Sequence, residues 1–148
     1  MKKFAFSNEK YQGIKEKEYE RLKLDMGNVD KEIDTVTAAL AELGAQFDAE
    51  RTVFAAACKQ GVGTGELQNY QGFFEFLQEK RAAGKDKLEA LLARKRALAE
   101  SLARLHNELK VLEEMRAEEY QAYLKEAAAE EAKELDAHIS FSVFERAV

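Results

Sequence analysis

The feature that most constrains this chain is an apolar repeat whose members are spaced alternately by three and four residues. Tyr19, Leu22, Met26, Val29, Ile33, Val36, Leu40, Leu43, Phe47, Glu50 and Phe54 follow it, and only Glu50 is polar. Held for five heptads, such a repeat is a coiled-coil seam. A second seam runs through Tyr70, Phe74, Leu77, Arg81, Gly84, Leu88, Leu91, Lys95, Leu98, Leu102, Leu105, Leu109 and Leu112. Between them lies the glycine cluster Gln60-Gly61-Val62-Gly63-Thr64-Gly65. Gly61 suits the left-handed conformation that closes a helix, and Thr64 is placed to cap the next one.

The two seams share a register. If the arms fold back antiparallel, residues at one height have position numbers with a constant total. Phe54 with Phe74, Leu40 with Leu88, Val29 with Leu98, Met26 with Leu102 and Tyr19 with Leu109 all total 127 or 128, a midpoint between Gly63 and Thr64. Seam and turn are separate signals, and a parallel homodimer would not require them to agree. The expected fold is all-α, two long helices in an antiparallel coiled-coil hairpin formed by one chain. It reads as a single domain over 1–148: arm one about 5–60, turn 61–65, arm two about 66–135, and an overhang over 128–148. That overhang begins acidic and turns apolar at Ile139, Phe141, Val143 and Phe144, which suits either a frayed end or a docking segment. Three layers of the seam are poor: Phe47 with Arg81, Leu43 with Gly84, and Ile33 with Lys95. Gly44 and Gly84 fall at one level, as either a close helix approach or a flexible waist.

Composition agrees with long helices. There is no proline to break them, and the 46% apolar content is too high for a disordered chain. No run of about 18 apolar residues offers a membrane span, and the residues after Lys2 and Lys3 lack the apolar stretch of a signal peptide. One cysteine, Cys58, excludes an internal disulfide framework and fits a reducing compartment; it reads as a small packing residue. A soluble cytoplasmic protein, monomeric on its own, is expected.

Signals for catalysis are sparse. His106 and His138 lie 32 residues apart, too far along one helix to share a metal. The glycine cluster follows a helix and lacks the Gly-Lys-Ser/Thr ending of a phosphate loop. No enzyme, metal or cofactor is expected. Charge segregates along arm two: residues 80–104 carry a net +5 and residues 113–136 a net −6, on a chain of net charge −5. No aromatics interleave the basic belt, so it suits charged protein partners rather than nucleic acid. Among Tyr70, Phe73, Phe74 and Phe76, helical geometry puts Tyr70 and Phe74 in the seam with Leu77, Phe73 on its flank, and Phe76 well away from it. Two helices have no third layer to bury Phe76, which marks a protein-binding patch.

Three segments carry a resemblance. Lys2-Lys3-Phe4-Ala5-Phe6-Ser7 leading to Lys15-Glu16-Lys17-Glu18, then Glu66-Leu67-Gln68-Asn69-Tyr70-Gln71 followed by Phe73 and Leu77, then Glu134-Leu135-Asp136 with Phe144-Glu145-Arg146, stand in order at the spacing of the FliJ family. The chain thus resembles the FliJ family of flagellar type III export proteins over essentially its whole length. The resemblance implies a cytoplasmic coiled coil, similar to the stalk of rotary ATPases, associated peripherally with the inner-membrane export apparatus. Its implied partners are the hexameric flagellar export ATPase, the cytoplasmic part of the membrane export gate, and export chaperones, with no direct membrane insertion. The implied gate patch takes in Phe73 and Leu77 with Tyr70 and Phe76, and Phe47 and Phe54 on the facing arm. Lys80 and Gly84 stand where some members carry other residues. By the stalk analogy the open end faces the ATPase, with Phe4, Phe6, Tyr11, Tyr120, Tyr123, Leu135, Phe141 and Phe144. Two other roles fit a hairpin of this kind: the stalk protein of a virulence-type secretion system, and a generic dimeric coiled-coil scaffold.

Overall fold

The computed structural model describes residues 2–147; Met1 and Val148, the outermost positions of the expected domain, lie outside the described residues. Two α-helices, α1 (Glu9–Gln60, 52 residues) and α2 (Thr64–Ala147, 84 residues), pack against each other as a helical hairpin. Acidic Glu9 and Glu66 lie in the first turns, and basic Lys59 and Arg146 in the last ones, each suited to the helix dipole. Among the described residues no helix is long and apolar enough to cross a membrane.

Gly61 makes the reversal with φ 95°, a conformation that costs a residue with a Cβ, and its N–H donates to the Cys58 carbonyl at 3.3 Å. The Leu67 N–H donates to the Gly63 carbonyl at 3.0 Å, which makes Gly63 the capping residue and puts Thr64 inside the helix. The turn is therefore shorter than the expected 61–65. At the other end, the Gln12 N–H donates to the Asn8 carbonyl at 2.9 Å, so Asn8 opens α1 and the helix begins four residues later than expected. Beyond residue 128, α2 stays helical to Ala147, through the described part of the expected overhang. Its run of Ala and Glu, both strong helix formers, accounts for that without a partner arm.

The hairpin comprises two units. In Arg21–Leu102, Val29, Val36 and Leu91 are buried, with Ile33, Leu40, Leu88 and Leu98 packed against them. These are all residues of the seams. Its weak layers are compensated by side chains. The Lys95 ammonium swings out to the Asp30 carboxylate at 2.7 Å, and the Arg81 guanidinium lies 5.7 Å from the centre of the Phe47 ring. The two glycines do not face each other. Gly84 faces Leu40, whose Cδ2 would lie 2.7 Å from an added Cβ, whereas nothing lies within 4 Å of one at Gly44. Gly84 thus permits a close approach of one leucine, and Gly44 stands clear of the partner helix.

The other unit joins the chain up to Glu20 with α2 from Ala103 onward, and Phe6, Gln12, Leu105, Leu112 and Ala127 are buried in it. Replacing Gly44 with Ala should raise thermal stability by about 1 kcal/mol, the usual helix gain. Gly84→Ala should bring no such gain, because Leu40 must give way. Melting curves of the two variants check this; equal gains would mean that the Leu40 contact is not tight.

Candidate partner-binding surfaces

The first surface lies in the unit Arg21–Leu102. Four aromatic rings form a continuous chain there: Phe47 against Phe74 at 5.2 Å, Phe74 against Phe54 at 5.8 Å, and Phe54 against Tyr70 at 5.0 Å between centroids. Edge-on and tilted contacts of this kind favour the pair beyond simple burial. Phe54 with Phe74 and Phe47 with Arg81 are pairs the sequence register requires. Phe47, Phe54 and Tyr70 are half-buried by these contacts and offer only their outer edges. Leu77 is 1% exposed. It is a core residue beneath the expected gate patch and not part of its surface, because its seam position turns it onto α1. Phe73 and Phe76 remain outside at 39% and 49% exposure, with the Lys80 ammonium 4.8 Å from the centre of the Phe76 ring. The outward patch is thus Phe73 and Phe76 with a cation beside them. Cys58 is exposed and is not the packing residue expected.

The second surface lies in the other unit and holds more than the sequence disclosed. Residues 2–8 are not a helical start; they lie along α2 as a strap. Phe4 rests on Tyr120 and Tyr123 at centroid distances of 5.1 Å and 5.5 Å, and the Tyr123 hydroxyl donates to the Lys2 carbonyl at 2.8 Å. Ser7 donates its backbone N–H, at 3.0 Å, and its hydroxyl to the Glu119 carboxylate. Phe6 is buried at 5% exposure. Of the eight residues expected at the open end, Phe4, Phe6, Tyr120 and Tyr123 therefore belong to this strap contact. Phe6 is not available to a partner while the strap is in place, since burial of its ring is the main apolar gain of ordering the segment. Tyr11, Leu135, Phe141 and Phe144 are exposed, as is half of Tyr120.

Further along, Gln12 is buried and donates to Glu113 at 3.0 Å, and Lys15 pairs with Glu108 at 3.0 Å. Tyr11, Val111, Leu112 and Met115 line a groove of about 670 Å³ rimmed by Asn8, Arg104, Asn107 and Glu108. Val111 and Met115 fall outside the seam pattern, so the sequence reading passed over them. Their signal was present as i, i+4 apolar spacing beside the seam. Ser7, Gln12 and Glu119 carry no periodic signal, and only the folded arrangement reveals them.

Charge is tuned at two of these contacts. Hydrogen bonds from the Ser7 hydroxyl, then from its backbone N–H, hold the Glu119 carboxyl below its ordinary pKa. The hydrogen bond to Glu108 raises Lys15, against the opposing effect of burial. The stability that Glu119 contributes is thus present above the ordinary carboxylate range and lost as pH falls through its lowered value. That of Lys15 is present below the ordinary lysine value and lost as pH rises through its raised one. Among the described residues no group of His, Cys, Asp and Glu is placed to hold a metal ion.

Glu119→Gln should lower stability at neutral pH and converge with the parent in strong acid, as urea titrations at several pH values would show; a constant difference would deny the Ser7 contact. Leu77→Ala should cost about 2–4 kcal/mol in the same titration, whereas Phe76→Asp should change it by less than about 0.5 kcal/mol. A large loss in Phe76→Asp would place that ring in the core.

Neither a curated protein nor a solved structure matches the chain significantly. The model of the family described as flagellar FliJ protein matches it over residues 10–147, nearly its whole length. A helical hairpin that this family's model matches from close to one end to the other belongs to the FliJ family of flagellar proteins.

Proposed function

We propose that the chain is a non-enzymatic component of the flagellar type III export apparatus, a stalk-like coiled coil that binds the export ATPase ring and promotes its assembly and activity. The observation that carries this reading is the family match over residues 10–147. Because it is a flagellar family, it favours the flagellar system over a virulence-type one. The hairpin works by contact: its core is a narrow seam, and Phe73 and Phe76 in one unit and Tyr11, Phe141 and Phe144 in the other face solvent outside it.

The exposed pair Phe73 and Phe76, with Lys80 alongside, is the surface offered to the export gate or to an export chaperone. Tyr11, Tyr120, Leu135, Phe141 and Phe144 are the residues offered to the ATPase. Apolar residues grouped outside a core are what a protein interface uses as anchors. The protein acts in the cytoplasm, held at the membrane only through its partners, and is monomeric until it meets them. Packing of Val29 and Val36 with Leu91 within one chain supports this reading over a dimeric scaffold.

ATP hydrolysis by the cognate flagellar export ATPase should rise several-fold on addition of this protein. The rise should fall away with Phe141→Asp/Phe144→Asp and persist with Phe76→Asp. No stimulation of a competent ATPase would reject the stalk role, and loss through Phe76→Asp would place the ATPase contact in the other unit.

A further inference from the structure

The strap covers a face of α2 that differs in kind from the seam. Lys2, Lys3, Phe4 and Ala5 share a cleft with Glu119, Tyr123, Glu126, Ala127 and Glu130. Ala127 is buried there although no α1 residue stands opposite it. What rests on this face is therefore the segment Lys2-Lys3-Phe4-Ala5, with the buried Phe6 next in the chain. What receives it is three carboxylates around two tyrosines, Tyr120 and Tyr123. The match is one of charge as well as shape: Lys2 and Lys3 line the same cleft as Glu119, Glu126 and Glu130, and the hydrogen bonds from Ser7 to the Glu119 carboxylate anchor one end.

The strap is also weakly secured. Lys2, Lys3, Ala5 and Ser7 are exposed, and Phe6 is its one buried side chain. Ordering seven residues costs conformational entropy at each of them. One buried ring, one half-buried ring and a few surface hydrogen bonds oppose that cost. A short attached segment nonetheless outcompetes a free one, because its effective concentration on the ledge is on the order of millimolar.

We propose that the α2 ledge around Glu119, Tyr123, Glu126 and Glu130 is a receptor for a basic, aromatic-bearing protein segment, which residues 2–8 occupy in the resting chain and a partner segment of the same chemistry displaces. The ledge is then a binding site that the protein keeps covered until a competitor with lysines or arginines beside aromatic rings arrives. Its occupant is recognised by that pairing of charge and rings, and the strap is its stand-in. This site is separate from the exposed Phe141 and Phe144 further along α2.

The probe is a fluorescein-labelled peptide with the sequence of residues 2–8. It should bind the full chain carrying Phe4→Ser/Phe6→Ser, which empties the ledge without altering it, at least tenfold more tightly than the parent chain. Adding Glu119→Ala/Glu126→Ala to that variant should abolish binding. A peptide with both lysines changed to glutamate should not bind. In the parent chain, which needs no substitution to stay folded, excess peptide should accelerate amide exchange at Ser7 and leave the helices protected. Equal binding to parent and strap-released chains, binding by the glutamate peptide, or Ser7 exchange unmoved by saturating peptide would each overturn the proposal.

Discussion

Burial of one narrow apolar stripe on each helix is the constraint on which everything else in this structure depends. Two helices that face each other can hide only the residues of their shared seam. Val29, Val36, Leu77, Leu91, Leu105 and Leu112 take that place and are buried. Off the stripe the two helices cannot bury an apolar residue between them; Phe6 is buried only where residues 2–8 lie along α2. Phe73, Phe76, Tyr11 and Val111 are exposed for that geometric reason and not because the fold is badly packed. Stability and recognition thereby fall to different residues on the same helices, often neighbours in sequence: Leu77 holds the hairpin, and Phe76 beside it is free to meet a partner.

Polar side chains finish what the stripe leaves incomplete. Where the seam carries Arg81, the guanidinium lies over Phe47; where it carries Lys95, the ammonium reaches Asp30. In the unit near the open end the same job falls to Gln12 with Glu113, Lys15 with Glu108 and Ser7 with Glu119. Most of these groups are exposed, so each contributes little to stability alone. Their value lies in register, since an antiparallel pair shifted by one heptad would break several of them together.

Much of the fold was legible because coiled coils write their geometry into spacing. Both seams, the reversal at Gly61 and the outward position of Phe76 follow from periods of three and four and from one glycine cluster. The strap was not legible. Residues 2–8 have no period, and their partners on α2 lie more than a hundred positions away. Gln12 was missed because a buried amide looks like any surface polar residue until its partner Glu113 is seen. Constant position totals fix the height of Gly44 and Gly84 along the hairpin but not the angle of each around its helix, so Gly44 stands clear where Gly84 meets Leu40. The seam does not predict the helical overhang, which has no partner arm; its alanines and glutamates hold it by propensity. Resemblance to a family supplied what periodicity could not, namely a reason to connect exposed aromatics with protein export.

The central claim is that one chain folds back on itself in a fixed antiparallel register, and cysteine cross-linking tests it most directly. In a chain with Cys58→Ser, the pair Asp30→Cys and Lys95→Cys replaces two side chains that meet at 2.7 Å. A short bifunctional thiol reagent should then yield a cross-linked monomer with faster gel mobility at every protein concentration, and Asp30→Cys alone should yield no dimer. Efficient dimers from Asp30→Cys alone, with no internal cross-link in the double variant, would establish a parallel pair of chains and contradict the hairpin.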